Sequence, residues 1–202
     1  AVKADVWLRV RPGADGALAL SWWNYIIENK LYNEAFVKEW TNLPFIINED
    51  TKLPYRATDI WPDYRQSTPA DTPAYVCFDN KTGKLVPFEY QDATVDPEIF
   101  WSGTIDELGG VAARSAGQIY KEAASEWTLE KTEEVTWVPA EVNKEAIELY
   151  AAPLKEGKCG GICHGVSSDM EQIAHQLPVG LCGLDAIMGY VNKPGCTLTQ
   201  NS

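Results

Sequence analysis

The stretch VWLRVRPGADGALALSWWNYII, Val6 to Ile27, constrains this chain more than any other. Val6, Leu8 and Val10 alternate with Trp7 and Arg9, as in a short strand largely covered on both faces. Pro12-Gly13-Ala14-Asp15-Gly16 predicts a turn. From Ala17 to Asn29 the apolar residues Leu18, Trp22, Tyr25 and Ile26 recur at helical spacing. Leu20, Trp23 and Ile27 widen that stripe until most of the helix circumference is apolar. Strand, turn and helix in this order open an α/β unit, and in an open α/β sheet ligands bind beyond the carboxyl ends of the strands. Asp15 stands at that place. Its carboxylate has two uses. It can cap the helix by accepting backbone N–H groups, or it can accept the adjacent N1–H and N2–H donors of a guanine in bidentate fashion. The turn alone leaves both open.

The rest of the chain carries the same alternation. NEAFVKEW predicts a short helix capped by Asn33. Five prolines between residues 41 and 73 predict an irregular surface excursion. AYVCFDNKTGKLVPFEY predicts a β-hairpin whose turn contains Gly83, with loop from 92 to 104. Helices are expected at about 111–125, at 129–134 with Thr128 as N-cap, at 140–151 opened by Pro139, and at 177–189. CGGICHG, between the last two, predicts a short buried strand, and VSSDMEQ its exit loop. Fold class is therefore α/β: a doubly wound, Rossmann-like arrangement with Val6–Val10 and Gly160–His164 as a parallel pair. Two strands cannot make a parallel sheet buried on both faces, so the expected domain is incomplete. Residues 1–202 read as a single partial domain, with 43–104 a loop-and-hairpin insertion.

Charge and cysteine usage narrow the chemistry. The 202 residues carry a formal net charge of -12 with no Lys/Arg cluster, which argues against nucleic acid and against anionic membranes. No apolar run approaches the ~18–20 residues of a membrane span. Cysteines 77, 159, 163, 182 and 196 are odd in number and irregular in spacing, a poor fit to a disulfide framework. In CGGICH the Cys–Cys spacing is one residue too long for covalent haem attachment, and zinc lacks further regularly spaced ligands. His164 and His175 are the only histidines, which leaves little for a Ser/His/Asp triad. No catalytic constellation is visible, and no metal ligand is assigned.

ADVWLRVRPGADGALALSWWNYIIENKLYNEAFVKEWTN resembles a signature stretch of the dimethyl sulfoxide reductase family, the molybdopterin oxidoreductases. The family pattern of Arg-Pro-Gly-Thr-Asp, a helix, Leu-Tyr-Asp-x-x-Phe-Val and Trp-Thr is met by Arg11, Pro12, Gly13, Asp15, Leu31, Tyr32, Phe36, Val37, Trp40 and Thr41. Ala14 departs from it, losing a hydroxyl. Farther on, WTLEKTEEVTWVPAEVNKEAIELYA, HGVSSDMEQ and AIMGYVNKPGC are similar to later family segments. The resemblance covers about half of the chain, and 43–104 matches only as a variable insertion.

This resemblance implies a role in binding the guanosine end of a molybdopterin guanine dinucleotide carrying molybdenum or tungsten. Asp15 would grip guanine, with Gly13, Ala14, His164, Gly165 and Ser168 at cofactor-contacting positions. It further implies a piece of a larger catalytic chain whose iron–sulfur cysteines, metal ligand and second pterin domain lie elsewhere. The isolated piece is then expected to be inactive and metal-free, with exposed strand edges that favour self-association. Expected partners are the rest of the parent chain and an iron–sulfur electron-transfer subunit. Localisation stays open, since a twin-Arg signal would lie upstream. The rival reading is a stand-alone binding module that has kept this fold and lost the cofactor.

Overall fold

The computed structural model describes residues 3–69, 71–90, 92–163, 165 and 176–196. The chain divides into two compact units, one of residues 1–34 and 123–202 and the other of residues 35–122.

The first unit is helical. Helix α1 (Asp15–Glu28) packs against α5 (Leu129–Thr136), α6 (Ala140–Lys155) and α7 (Leu177–Met188). No residue of α1 up to Ile27 is exposed, and Ala17, Ala19, Trp23, Ile26 and Ile27 are buried. That agrees with a helix apolar around most of its circumference. Ile147, Leu184, Met188 and Tyr190 complete the core. Side-chain hydrogen bonds fix how the helices register. The buried Asn143 accepts from Trp22 Nε1 at 2.9 Å and donates to Ser21 Oγ at 3.0 Å, and Trp23 Nε1 donates to Gly180 O at 3.0 Å. Gly183 gives the Trp23 ring its room, since a Cβ there would lie 2.6 Å from Cζ2. Helix α5 starts as expected, with Thr128 Oγ1 accepting from Lys131 N. Helix α6 runs through Pro153. Beside that proline the Tyr190 hydroxyl enters the helical ladder, accepting from Leu154 N and donating to Tyr150 O, each at 3.1 Å. Gly189 ends α7 in the left-handed region (φ 68°).

The second unit holds two antiparallel sheets. Strand β5 (Val111–Ser115) lies between β1 (Ile46–Ile47) and β4 (Ser102–Ile105). Strands β2 (Tyr75–Asp79) and β3 (Lys84–Phe88) form the expected hairpin, with Tyr75 opposite Phe88 and Asp79 opposite Lys84. Helix α2 (Glu34–Trp40) precedes β1, the short α3 (Ala57–Ile60) follows it, and α4 (Ala116–Ser125) leads out of the unit. Ile46, Tyr55, Ile60, Val76, Ile105 and Ala113 form the core.

Three sequence expectations give way here, the first at residues 102–104, which are expected as loop and instead pair with β5 as part of β4. Residues 111–115 are strand rather than the start of a helix. Gly109 and Gly110, at φ 77° and 82°, reverse the chain after β4, and ladder bonds on both sides of β5 override its Ala-rich helix propensity. The helix begins at Ala116, where Ser115 Oγ accepts from Gln118 N. The parallel pair is likewise not formed among the described residues. Residues 6–10 keep the alternation, with Val6, Leu8 and Val10 half-buried and Trp7 and Arg9 exposed, but they join no ladder. Residues 160–163 are irregular, and His164 lies outside the described residues. The chain is therefore a mixed helix-and-strand structure whose sheets among the described residues are small and antiparallel.

Candidate functional site

The turn ahead of α1 is built by two residue types. Ala14 N donates to Arg11 O at 3.0 Å, closing a four-residue turn with Pro12 and Gly13 at its centre. Gly13 has φ 83°, so the turn is of type II: proline presets the second position and glycine takes the third without a Cβ penalty. Arg11 N donates to Thr136 O at 2.8 Å, tying the turn to the last residue of α5. The Arg11 guanidinium lies over the exposed Trp137 ring, 5.2 Å from its centroid. Arg9 lies over Trp7 in the same way at 5.0 Å. Neither cation–π pair was foreseen from the sequence. Their only signal was the interleaving of Trp and Arg around the turn.

Helix α1 takes Ala14 as its N-cap, and no side chain makes the capping bond. Asp15 is the first helical residue. Its half-buried carboxylate makes no hydrogen bond to the described residues. The cap reading of Asp15 is thereby corrected. A carboxylate at the N-cap reaches the N–H groups two or three residues on; one position later it projects from the first turn, where it meets the helix dipole and keeps both oxygens available.

The second candidate segment is held by side chains instead of a sheet. Asp185, buried in α7, accepts from the Tyr150 hydroxyl at 2.7 Å and from Ile162 N at 3.1 Å. Burial and the Asp185 carboxylate push the Tyr150 hydroxyl pKa strongly upward. Gly160 lies against the Tyr190 ring, where a Cβ would meet Cε2 at 2.9 Å. A disulfide joins Cys159 to Cys196 across 37 positions. The irregular cysteine spacing had pointed away from any disulfide framework, and nothing in it marked this pair. CGGIC is half-buried to exposed, so the buried-strand expectation fails. Its Ile162 N–H is satisfied by a carboxylate, which removes one need for a neighbouring strand.

Gly13, Ala14 and Asp15 thus stand together at the head of α1. Gly165 is exposed, and His164 and Ser168 lie outside the described residues. Among the described residues no group of three or more His, Cys, Asp or Glu side chains could hold a metal ion. Among the described residues no helix is long and apolar enough to cross a membrane.

Comparison with known proteins gives the family. The chain is 62% identical over 48 residues to dopamine dehydroxylase of Eggerthella lenta, covering 24% of this chain and 5% of that protein. It is 31% identical over 217 residues to perchlorate reductase subunit alpha of Dechloromonas aromatica, covering 94% of this chain and 23% of that protein. Among solved structures, acetylene hydratase from Pelobacter acetylenicus superposes with a TM-score of 0.49 at 20% identity, over 92% of this chain and 15% of that one. No family model matches the chain. The chain belongs to the molybdopterin oxidoreductases of the dimethyl sulfoxide reductase type, and it spans less than a quarter of the length of these curated relatives.

Proposed function

We propose that this chain binds the guanosine end of a molybdopterin guanine dinucleotide within a molybdenum or tungsten oxidoreductase. The supporting observation is the Asp15 carboxylate, placed on the first turn of α1 and without a hydrogen bond to the described residues. The donor chemistry fits the group. Guanine N1–H and N2–H present two parallel donors, and a carboxylate has two acceptor oxygens at matching separation. The type II turn holds the carboxylate in place without a flexible linker, and Gly13 and Ala14 offer little side-chain bulk beside it; Gly165 contributes backbone in this reading. His164 and Ser168 complete the pocket in this reading. Ala14 supplies no hydroxyl where the family has Thr, so recognition falls on the carboxylate and on backbone groups.

When bound, the cofactor would supply two-electron chemistry at its metal. The chain's own residues bind and orient; none moves a proton or an electron. The isolated chain is accordingly inactive. It represents part of a Rossmann-like central domain in which 43–104 is an insertion. Its partners are the rest of a parent catalytic chain and an iron–sulfur subunit, a reading supported by the subunit-alpha name of the perchlorate reductase relative.

The test is a titration of this chain with GDP and with ADP, followed by amide chemical shifts. Adenine has no N1–H donor, so Asp15 favours GDP, by about tenfold or more. Asp15→Asn abolishes that preference. Equal binding of GDP and ADP, or a preference that survives Asp15→Asn, overturns the assignment.

A further inference from the structure

The sequence contains five arginines, and the structure accounts for three of them. Arg9 and Arg11 stack on Trp7 and Trp137. Arg114 pairs with Glu49 and Glu122. The other two, Arg56 and Arg65, have no carboxylate partner among the described residues, and both line one open cavity of about 500 Å³ in the second unit. In a chain of net charge -12 with 29 acidic residues, two arginines without a carboxylate in one cavity need an explanation. Thr58, Gln66 and Thr68 also line the cavity, and no carboxylate does.

The walls are braced independently of these arginines. Glu89 accepts from the Tyr64 hydroxyl and from Ser67 N and Thr68 N at 2.9 and 3.0 Å, fixing the loop that carries Arg65. Gln66 Nε2 donates to the carbonyls of Thr68 and Pro69, and its Oε1 accepts from Ala74 N. Ala57 N donates to Ala74 O, closing the loop at its base. Arg56 uses its backbone N–H, bound to Asp59 Oδ2 at 2.8 Å, to start α3, so its guanidinium is not part of the brace. The loop's polar groups are spent on each other; Arg65 Nη1 donates to the Tyr64 carbonyl at 3.3 Å, and the remaining guanidinium donors of Arg65 and those of Arg56 are left for a ligand.

We propose that this cavity binds a small phosphorylated organic molecule, with Arg56 and Arg65 on its phosphate. Guanidinium forks match phosphate oxygens in bidentate geometry. A volume of about 500 Å³ exceeds an inorganic anion and suits a small organic ligand. This site is separate from the Asp15 turn and does not depend on the guanine assignment.

The experiment titrates the chain with glycerol 3-phosphate and, as the uncharged comparison, with glycerol, following amide shifts of Thr58, Gln66 and Thr68. Binding of the phosphate ester alone is expected, weakening as salt is raised. Arg56→Ala and Arg65→Ala each weaken it by about tenfold or more. Arg65→Lys retains part of the affinity, because charge remains while the fork is lost. Both arginines are exposed, and unchanged circular dichroism verifies folding of the variants. No binding at about 10 mM, a level that corresponds to only a few kcal/mol of affinity, overturns the proposal. So does binding that is shared by glycerol or unchanged in both alanine variants. Asp15→Asn leaves this binding intact, which separates failure here from failure of the guanine site.

Discussion

The two units solve the same problem by opposite means. In the helical unit, distant segments are joined by single side-chain hydrogen bonds: Trp22 to Asn143, Trp23 to Gly180, Tyr150 and Ile162 to Asp185. In the unit of residues 35–122, order comes from antiparallel ladders and from side chains that gather nearby backbone N–H groups. Asp79 accepts from Lys81, Thr82 and Asp96, and Glu89 from Ser67 and Thr68. Ser115 donates to Ile99 O and accepts from Trp101 and Gln118. One unit relies on a few single side-chain contacts between helices and the other on ladders reinforced by side chains that each gather several N–H groups. A single deletion should therefore hurt the helical unit more.

The most damaging change predicted is Asn143→Leu. It removes both the acceptor for Trp22 and the donor for Ser21 at a fully buried position. A loss of about 3 kcal/mol is expected in urea unfolding followed by tryptophan fluorescence. Hydrogen exchange should accelerate in α1 and α6 before it does in β2 and β3. Uniform acceleration throughout the chain would break the contrast between the units.

Next comes a matched pair of glycines in helices. Gly117→Ala sets a Cβ 2.3 Å from the Ile99 carbonyl oxygen, which is backbone inside a ladder-bound unit and cannot withdraw. About 2 kcal/mol of destabilisation is expected, after crediting the helix propensity gained by alanine. Gly183→Ala meets the edge of a side chain, Trp23 Cζ2, at 2.6 Å. The indole can tilt by weakening its bond to Gly180 O, so the propensity gain of ~1 kcal/mol nearly offsets the clash. Equal costs in thermal unfolding would show that the two units yield alike.

These differences also explain what could be read in advance. The hairpin, the Thr128 cap, the helical stripe of α1 and the Pro-Gly turn are local patterns, and each appears where its residues place it. Strand β5 reads as helix because Ala112 and Ala113 favour helix locally, while β1 pairs with it from far along the chain, Ile46 opposite Ser115, and β4 through the reversal at Gly109 and Gly110. CGGIC was read as strand from its small apolar residues, yet the Asp185 carboxylate that satisfies Ile162 N lies 23 positions on. No spacing rule anticipates that. The Asp15 position was legible, and its detachment from capping was not, because one residue of shift at a helix start lies within the ordinary uncertainty of boundaries.

Acid should distinguish the units more gently. Hydrogen bonds from Ser67 and Tyr64 hold the Glu89 carboxyl near about 2, below its usual 4.5, and backbone N–H groups lower Asp79. Carboxyls depressed in the folded state add stability that is complete above their unfolded pKa. That stability is lost as pH falls from about 4.5 toward about 2. The loop 64–68 and the β2–β3 turn should lose exchange protection in that window, and Glu89→Gln should flatten the pH dependence of the loop. Unchanged protection there down to about pH 2 would remove the carboxylates from the account.

The smallest effect on stability belongs to Asp15→Asn, and its smallness is the point. As first residue of α1 with no hydrogen bond to the described residues, Asp15 is expected to contribute only its interaction with the helix dipole, about 0.5 kcal/mol at low salt. A true cap would cost about 1 kcal/mol or more on replacement, because an N–H donor loses its partner. Near-neutral thermal unfolding combined with loss of GDP preference identifies a carboxylate kept for a ligand. A stability loss above about 1 kcal/mol with nucleotide binding untouched would return it to the helix.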